Sequence, residues 1–320
     1  MKIENLVYLV SGELKNSPAI SHIEGFSNNT EKLKRGDLFF AKDKEKIPEA
    51  IKNGAYAILF DGWTQIIDSE IAWIKVKNLE VAALKLLRFF LIQNSTQIYK
   101  ISKLQQDMIK SIANIDEILF LDDDLIDSLV KLYKKDIKFA LINANLIKNI
   151  SLDIEDLKIS KEIKIINRFL FETSFVYNSI FYDRVHIPAL FIESFNKILN
   201  ILDNYNINYQ IKNIEKLNHF KPYFIDNNFA IKEFGKSERV IIFENSYELL
   251  EKERDYLEEN AKWAKKIYIS DIKIDKFLYG RNFDIIAKIL YENDFNFALI
   301  GTKEINLEKL EIKKDYKKLF

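Results

Sequence analysis

The 320-residue sequence has no cysteine, only four prolines and only eight glycines. Without cysteine the chain has no disulfide, no thiolate nucleophile and no cysteine-based zinc site, which suits a reducing cytoplasm. Glycine at its ordinary frequency of about 7% would occur roughly 22 times. A loop that cradles phosphates needs glycine for positive φ angles and for close approach of the ligand. Residues 63–234 contain no glycine, so they exclude such a loop.

An excess of charge of one sign is also lacking, because 48 basic residues balance 48 acidic ones. Nucleic-acid binding needs a basic surface, so we expect no nucleic-acid partner. The longest apolar stretch, Val81 to Ile92, is interrupted by Lys85 and Arg88 and is too short to span a bilayer. The N-terminus carries Glu4 where a signal peptide needs a positive region. We therefore expect a cytoplasmic protein without a membrane span.

Apolar runs of strand length alternate with amphipathic stretches, which predicts an α/β fold. Leu6–Val10 is predicted to be a short strand. Residues 79–93 are predicted to form a helix whose apolar face carries Val81, Leu84, Leu87 and Leu91. The last third has the order β-α-β-α-β, which predicts a parallel sheet.

Two places in the chain are predicted to separate domains. The polar residues 94–96 follow the first long helix, and a Phe-Gly pair at 234–235 precedes the last α/β region. These boundaries divide the chain into domains 1–95, 96–234 and 235–320.

Three motifs follow one another in the first 60 residues. They are Gly25-Phe26-Ser27-Asn28-Asn29-Thr30, then Lys34-Arg35-Gly36-Asp37-Leu38-Phe39-Phe40-Ala41, and then Asn53-Gly54-Ala55-Tyr56-Ala57-Ile58-Leu59. Their order and spacing resemble the N-terminal domain of the Mur ligases, the cytoplasmic amide-forming enzymes of peptidoglycan precursor synthesis. The members most similar in pattern add meso-diaminopimelate or D-alanyl-D-alanine. The resemblance implies a small N-terminal α/β domain, a central α/β domain and a C-terminal Rossmann-like domain.

Two weaker similarities fall later in the chain, in the order that the family expects. Residues 218–222 resemble the Phe-x-Pro element that closes the central domain. Asn245, Ser246 and Tyr247 resemble part of the motif that opens the C-terminal domain. At 320 residues the chain is shorter than a full ligase, and we assign the shortfall to a reduced central domain.

The family's nucleotide-sugar site is only partly present. Ser27, Asn29 and Thr30 occupy positions where the family binds a uridine nucleotide sugar, so the resemblance implies them as vestigial candidates. The family's arginine is replaced by Glu31, which would repel a diphosphate that arginine would bind. Residues 42–46 replace the family's Asp-Gly-His loop without glycine or histidine.

The family's ATP-binding loop should follow the strand at residues 98–101. Residues 102–108 contain neither of the loop's glycines, and the lysine and the Mg²⁺-binding hydroxyl are also missing from their positions. Because the family activates its substrate as an acyl phosphate, this loss removes the first chemical step. We therefore expect no ATP or other cofactor, no catalytic residue and no metal.

Asp122, Asp123 and Asp124 follow a predicted strand and admit two interpretations. Carboxylates at such a strand end can bind Mg²⁺ and support phosphatase-like chemistry. Alternatively, one of them caps the next helix and the others favour its positive end. The three histidines lie far apart in sequence and show no metal-binding spacing.

The sequence predicts a degenerate Mur-ligase-like protein without catalytic activity. It would bind another cell-wall synthesis protein or a UDP-sugar precursor. The alternatives are a Mg²⁺-dependent phosphatase-like enzyme at residues 122–124, residual ligase activity on a UDP-MurNAc-peptide, or a scaffold that retains only the fold.

Overall fold

The computed structural model describes residues 1–121, 124–143, 152–302 and 310. The chain forms two compact units. Unit 1 contains Met1–Lys158 and Asn200–Tyr209, and unit 2 contains Ile159–Leu199 and Gln210–Phe320. The division into domains 1–95, 96–234 and 235–320 stays a prediction. Across the described ranges, no helix has both the length and the apolar character needed to cross a membrane.

The first sheet of unit 1 has five strands in the order β1-β5-β4-β3-β2. All neighbours are parallel except β1, which pairs antiparallel with β5. The central strands are fully buried, as expected of parallel strands covered on both faces. The elements are α1 (Ile3–Val10), β1 (Glu13–Leu14), β2 (Gly25–Ser27), β3 (Asp37–Phe40), α2 (Ile47–Lys52), β4 (Ala57–Phe60) and β5 (Ala72–Lys75).

A second sheet in unit 1 has four parallel strands in the order β7-β8-β6-β9. The helices α3 and α5 pack against each other, and their apolar residues share one core with side chains from both sheets. The elements are α3 (Leu79–Gln93), β6 (Gln97–Ile101), α4 (Lys103–Ile112), β7 (Ile118–Leu121), α5 (Leu125–Lys134), β8 (Phe139–Asn143) and β9 (Glu155–Asp156).

Two details of unit 1 correct the sequence predictions. Leu6–Val10 is not a strand but part of α1, because Ile3, Leu6 and Val10 are spaced to bury one helical face. The predicted bounds of α3 are confirmed, but Val81 points outward and is 51% exposed. Alanines 82 and 83 belong to the buried face in its place, because small side chains allow the close approach of neighbouring elements.

Unit 2 begins with an antiparallel sheet in the order β10-β11-β12. A two-residue turn joins β11 to β12, and both of its residues, Asn178 and Ser179, have positive φ angles. Such turns match the natural twist of a hairpin. The elements here are β10 (Lys164–Arg168), β11 (Thr173–Tyr177), β12 (Ile180–Val185) and α6 (Ile192–Asn204), whose residues are divided between the two units.

The second sheet of unit 2 has the order β13-β14-β17-β15-β16. Its four later strands are parallel, as the β-α-β-α-β pattern predicted, and β13 is an antiparallel edge strand. The elements are β13 (Lys221–Ile225), β14 (Arg239–Glu244), α7 (Tyr247–Asn260), β15 (Lys266–Ser270), β16 (Leu278–Tyr279), α8 (Phe283–Glu292) and β17 (Phe297–Gly301).

Candidate functional site

The Gly-Asp-Leu-Phe motif at 36–39 has a structural role in unit 1. The buried Asp37 carboxylate accepts a hydrogen bond from the backbone N–H of Lys34 at 3.0 Å and lies 3.6 Å from the ammonium of Lys134. Gly25 on the neighbouring strand makes room for it, because a Cβ there would lie 2.2 Å from the Asp37 carboxylate. The motif therefore fixes the pairing of β2 with β3.

The nucleotide-sugar candidates lie where β2 ends. The Ser27 hydroxyl is buried and donates to the carbonyl of Asn29 at 2.9 Å. The side-chain oxygen of Asn29 accepts from the backbone N–H of Glu31 at 2.8 Å, and Thr30 is buried. Ser27 and Asn29 thus hold their own loop together.

Lys42, just beyond the end of β3, is the centre of an ion-pair cluster in unit 1. Its ammonium lies 2.7 Å from the Asp124 carboxylate and 3.3 Å from that of Glu80. Partial burial opposes the charge on Lys42, but hydrogen bonds and attraction from both carboxylates outweigh it and raise the pKa of Lys42. Burial likewise opposes the charge on Asp124, yet Lys42 and two backbone N–H groups lower the pKa of Asp124.

Asp124 is the N-cap of α5. Its Oδ1 accepts hydrogen bonds from the backbone N–H groups of Ile126 and Asp127, each at 3.0 Å. Asp122 and Asp123 lie outside the described residues, so the phosphatase-like interpretation stays a prediction, while the geometry of Asp124 favours the capping role. In the described ranges, no group of three or more His, Asp and Glu side chains is arranged to hold a metal ion.

The predicted position of the family's ATP loop is a tight strand-to-helix junction. Only Ser102 lies between the end of β6 and the start of α4. The Ser102 hydroxyl accepts from the backbone N–H of Gln105 at 3.2 Å, and the Gln105 side chain accepts from the backbone N–H of Ser102 at 2.9 Å. This reciprocal capping box occupies two N–H groups at the helix end.

The C-terminal motif candidates surround the junction of β14 and α7 in unit 2. Asn245 is exposed, and Ser246 is the N-cap of α7 without a capping bond from its side chain. The Tyr247 hydroxyl donates to Asp271 at 2.6 Å, and this hydrogen bond raises the pKa of Tyr247 to about 12. Tyr247 therefore ties the start of α7 to the end of β15.

Three ionisable side chains are buried beside this junction: His219, Glu244 and Glu253. The Glu244 carboxylate lies 2.7 Å from the His219 ring nitrogen Nδ1 and accepts from the backbone N–H groups of Ser246 at 2.6 Å and Phe220 at 3.1 Å. In the described part of the chain, neither carboxyl oxygen of Glu253 has a hydrogen-bond partner of good geometry. Burial raises the pKa of Glu253, and the nearby charge of Glu244 raises it further. Both effects favour a protonated, neutral Glu253.

Comparison with known proteins adds evidence on the fold. No family model matches the sequence, and no curated protein matches it. A crystal structure of MurF from Acinetobacter baumannii matches with a TM-score of 0.52 at 9% identity, covering 98% of each chain. A second structure from that organism, of a UDP-N-acetylmuramoylalanyl-D-glutamyl-2,6-diaminopimelate–D-alanyl-D-alanyl ligase, gives a TM-score of 0.47 at 10% identity, covering 100% of this chain and 93% of that chain. MurF from Thermotoga maritima in complex with ADP gives 0.44 at 13% identity, covering 93% of this chain and 99% of that chain.

The chain therefore has a multi-domain α/β fold of the Mur-ligase type, as the three N-terminal motifs predicted. At 9% identity the match concerns the fold and carries no information on activity. The predicted reduction of the central domain and the predicted loss of activity stay predictions.

The ion pairs of the site were not predicted from the sequence. Lys42 and Asp124 are 82 positions apart, and Asn28, whose side-chain amide donates to Asp127 at 2.5 Å, is 99 positions from its partner. No local pattern signals such pairs. Asn28 was part of the motif, but the resemblance pointed to its neighbour Asn29.

Proposed function

We propose that this protein is a non-catalytic, cytoplasmic Mur-ligase-like protein that acts in peptidoglycan precursor synthesis by binding another enzyme or a precursor. The junction at Ser102 is the observation that carries the proposal. A phosphate loop needs several residues between strand and helix, with glycines that present free N–H groups to the ligand. Here one residue separates β6 from α4, and its capping box uses the N–H groups of Ser102 and Gln105. This junction therefore has no loop that could bind the ATP needed to activate a carboxylate.

The cluster around Lys42 favours a protein partner over a nucleotide-sugar precursor. A diphosphate at this edge of the sheet would need cations and free donors. Lys42 is already shared between Asp124 and Glu80, and Ser27 and Asn29 are bonded to their own loop. A second anion would have to displace the carboxylates from Lys42 and would then face their repulsion.

The loss of ATP chemistry is tested by titrating the full chain with Mg²⁺-ATP in a calorimeter and by measuring phosphate release. We expect no binding heat and no phosphate release above the background of a mock purification. Lys103→Met, at the start of α4, and Lys110→Met, nearer the end of the same helix, are the matched variants. ATP-dependent phosphate release that is lost in Lys103→Met and kept in Lys110→Met would contradict the proposal.

The binding role is tested in two further measurements. Affinity purification from its own cells should enrich an enzyme of peptidoglycan precursor synthesis. A thermal-shift titration with a UDP-MurNAc-peptide should give no shift if the partner is a protein, whereas a ligand present at 100 times its Kd would stabilise the fold by about 2.7 kcal/mol. Absence of both the enzyme and the shift would overturn the binding role.

A further inference from the structure

The edge strand β12 of unit 2 is distorted at Asp183 and Arg184. The pairing with β11 changes from Thr173 opposite Val185 to Phe175 opposite Tyr182, so two residues of β12 face Ser174 alone. This is a β-bulge, a feature that redirects a side chain out of the regular alternation of a strand. The buried Ser174 hydroxyl stabilises it by donating to the Asp183 carboxylate at 2.8 Å and accepting from the backbone N–H of Arg184 at 3.0 Å.

Arg184 adopts a backbone conformation that costs free energy. Its φ angle is +45°, in the left-handed region that side chains other than glycine and asparagine rarely occupy. Such residues persist only where the surrounding structure holds them, and they concentrate at ligand-binding sites. The strain at Arg184 therefore needs a compensating set of contacts.

A buried carboxylate supplies those contacts. Glu172 is 5% exposed, and its Oε2 accepts from Nε of Arg184 at 2.9 Å and from Nη2 at 2.5 Å. Its other oxygen, Oε1, lies 3.2 Å from Nε2 of His186. One buried group thus positions two side chains that remain largely exposed, with 57% exposure for Arg184 and 43% for His186.

Aromatic rings fix the planes of both side chains. The Arg184 guanidinium lies 4.7 Å from the ring centre of Phe169, a distance at which cation and ring attract. The His186 ring stacks on Phe234 with centres 4.8 Å apart and planes 10° apart. Arg184 and His186 are therefore held in one orientation before any ligand arrives, which lowers the entropy that binding would cost.

These residues line a cavity of about 550 Å³ within unit 2. One wall is the end of β12 from Tyr182 together with His186, which follows the strand, and the other is the segment 210–215, which includes Lys212 on a short 3-10 helix. Lys212 is exposed and makes no hydrogen bond or ion pair with the described part of the chain. Arg184 uses Nε and Nη2 on Glu172, which leaves Nη1 for another partner.

The lining of the cavity carries two cations, Arg184 and Lys212, and two acids, Asp183 and Glu215. Of the two lining acids, Asp183 is engaged by Ser174, and Glu215 is the other. The cationic donors that remain for a ligand belong to Arg184 and Lys212. Arginine in a fixed orientation presents paired N–H groups that match a phosphate or carboxylate. The volume lies in the range of small-molecule sites and exceeds what an inorganic ion would fill.

We propose that this cavity binds a small organic molecule through its phosphate or carboxylate group, which Arg184 and Lys212 contact. The anion lies between β12 and the 3-10 helix, and the organic body of the ligand fills the remaining volume. This site does not depend on whether the protein uses ATP, and it is distinct from the cluster around Lys42.

The test is calorimetric titration of the full chain at matched ionic strength with three probes: glucose 6-phosphate, citrate and inorganic phosphate. We expect glucose 6-phosphate or citrate to bind, and the probe that binds more tightly shows whether the site prefers a phosphate or a carboxylate. Inorganic phosphate should bind more weakly than the better organic probe. The key variant is Lys212→Met, because Lys212 is exposed and its loss leaves no buried group unpaired.

Lys212→Met should weaken binding of the better probe roughly tenfold, which is about 1.4 kcal/mol. Lys216→Met is the matched control, because it removes the same charge from the same 3-10 helix outside the cavity. Arg184→Gln should abolish binding, but it also unpairs Glu172, so its thermal unfolding is measured alongside. No binding of either organic probe at millimolar concentration, or an equal loss in the two lysine variants, would overturn the proposal.

Discussion

Two strand-to-helix junctions of this chain provide hydrogen-bond acceptors for the backbone N–H groups at the start of the helix in different ways. In unit 1, Ser102 and Gln105 cap α4 with their own side chains, close to solvent and without a buried charge. In unit 2, the Ser246 side chain makes no capping bond, and the buried carboxylate of Glu244 accepts the Ser246 N–H instead. The first junction is complete within four residues, whereas the second depends on Glu244 and on its partner His219, which is 25 residues away in the sequence.

The two junctions differ in the free-energy cost of the groups that form them. A capping box is a local solution that stabilises a helix by about 1 kcal/mol and requires nothing else from the structure. Buried ionisable groups carry a desolvation cost, and removing one partner is more harmful than the pair was beneficial. The fold thus has a local capping box at one junction and a buried polar network at the other.

The largest effect is expected for Glu244→Gln. The amide cannot accept from all three donors that surround the carboxylate, and its NH₂ group faces a donor where an acceptor stood. We expect the free energy of unfolding to fall by about 3 kcal/mol, measured by urea denaturation at pH 7. Glu248→Gln, on the exposed side of α7, is the control and should change it by less than about 0.5 kcal/mol. If both changes lowered the free energy of unfolding equally, the buried network would not stabilise the protein more than an exposed residue of α7 does.

Glu253→Gln is expected to change the pH dependence of stability. The folded-state pKa of Glu253 is raised above its unfolded value, so the folded protein binds the proton more tightly. Its contribution is fully present below about pH 4.3 and is lost as pH rises towards the folded pKa, with a slope approaching about 1.4 kcal/mol per pH unit.

The glutamine variant has no proton to lose. Unfolding measured at a series of pH values should therefore show the free energy of unfolding of the variant rising relative to that of the native protein as the pH increases above about 4.5. For Glu251→Gln, on an exposed part of the same helix, the free energy of unfolding should have the same pH dependence as that of the native protein. A pH profile of Glu253→Gln that also stays parallel would mean that Glu253 ionises normally in the folded state.

The sequence predicted the elements that depend on local pattern. The bounds of α3 are confirmed because it has an apolar periodicity and an asparagine N-cap, Asn78, whose side chain accepts a backbone N–H. The short helix α1 was mistaken for a strand, since five apolar-rich residues fit either period. The motif resemblance also led to the correct fold, because the residues that pair β2 with β3 are themselves the motif.

Contacts between distant residues could not be predicted in the same way. Glu244 is 25 residues from His219, and nothing local marks either residue as buried. The bulge at Arg184 depends on the pairing register of two strands, which a single strand's pattern does not define. No local pattern marks the buried acids or the strained arginine, because the contacts that compensate for their cost in free energy come from elsewhere in the chain.

The smallest effects are expected from removing the hydroxyl groups of the two N-cap serines, Ser102 and Ser246. Ser102→Ala removes the hydroxyl that accepts the Gln105 N–H at 3.2 Å and should lower the free energy of unfolding by about 1 kcal/mol. Ser246→Ala removes a hydroxyl without a capping bond, and its N–H still donates to Glu244, so we expect a change below about 0.5 kcal/mol. Both variants are compared by urea denaturation in one buffer. A larger loss for Ser246→Ala than for Ser102→Ala would reverse the assignment, because it would make the Ser246 hydroxyl the stronger cap and leave the N–H groups at the start of α4 available to a ligand.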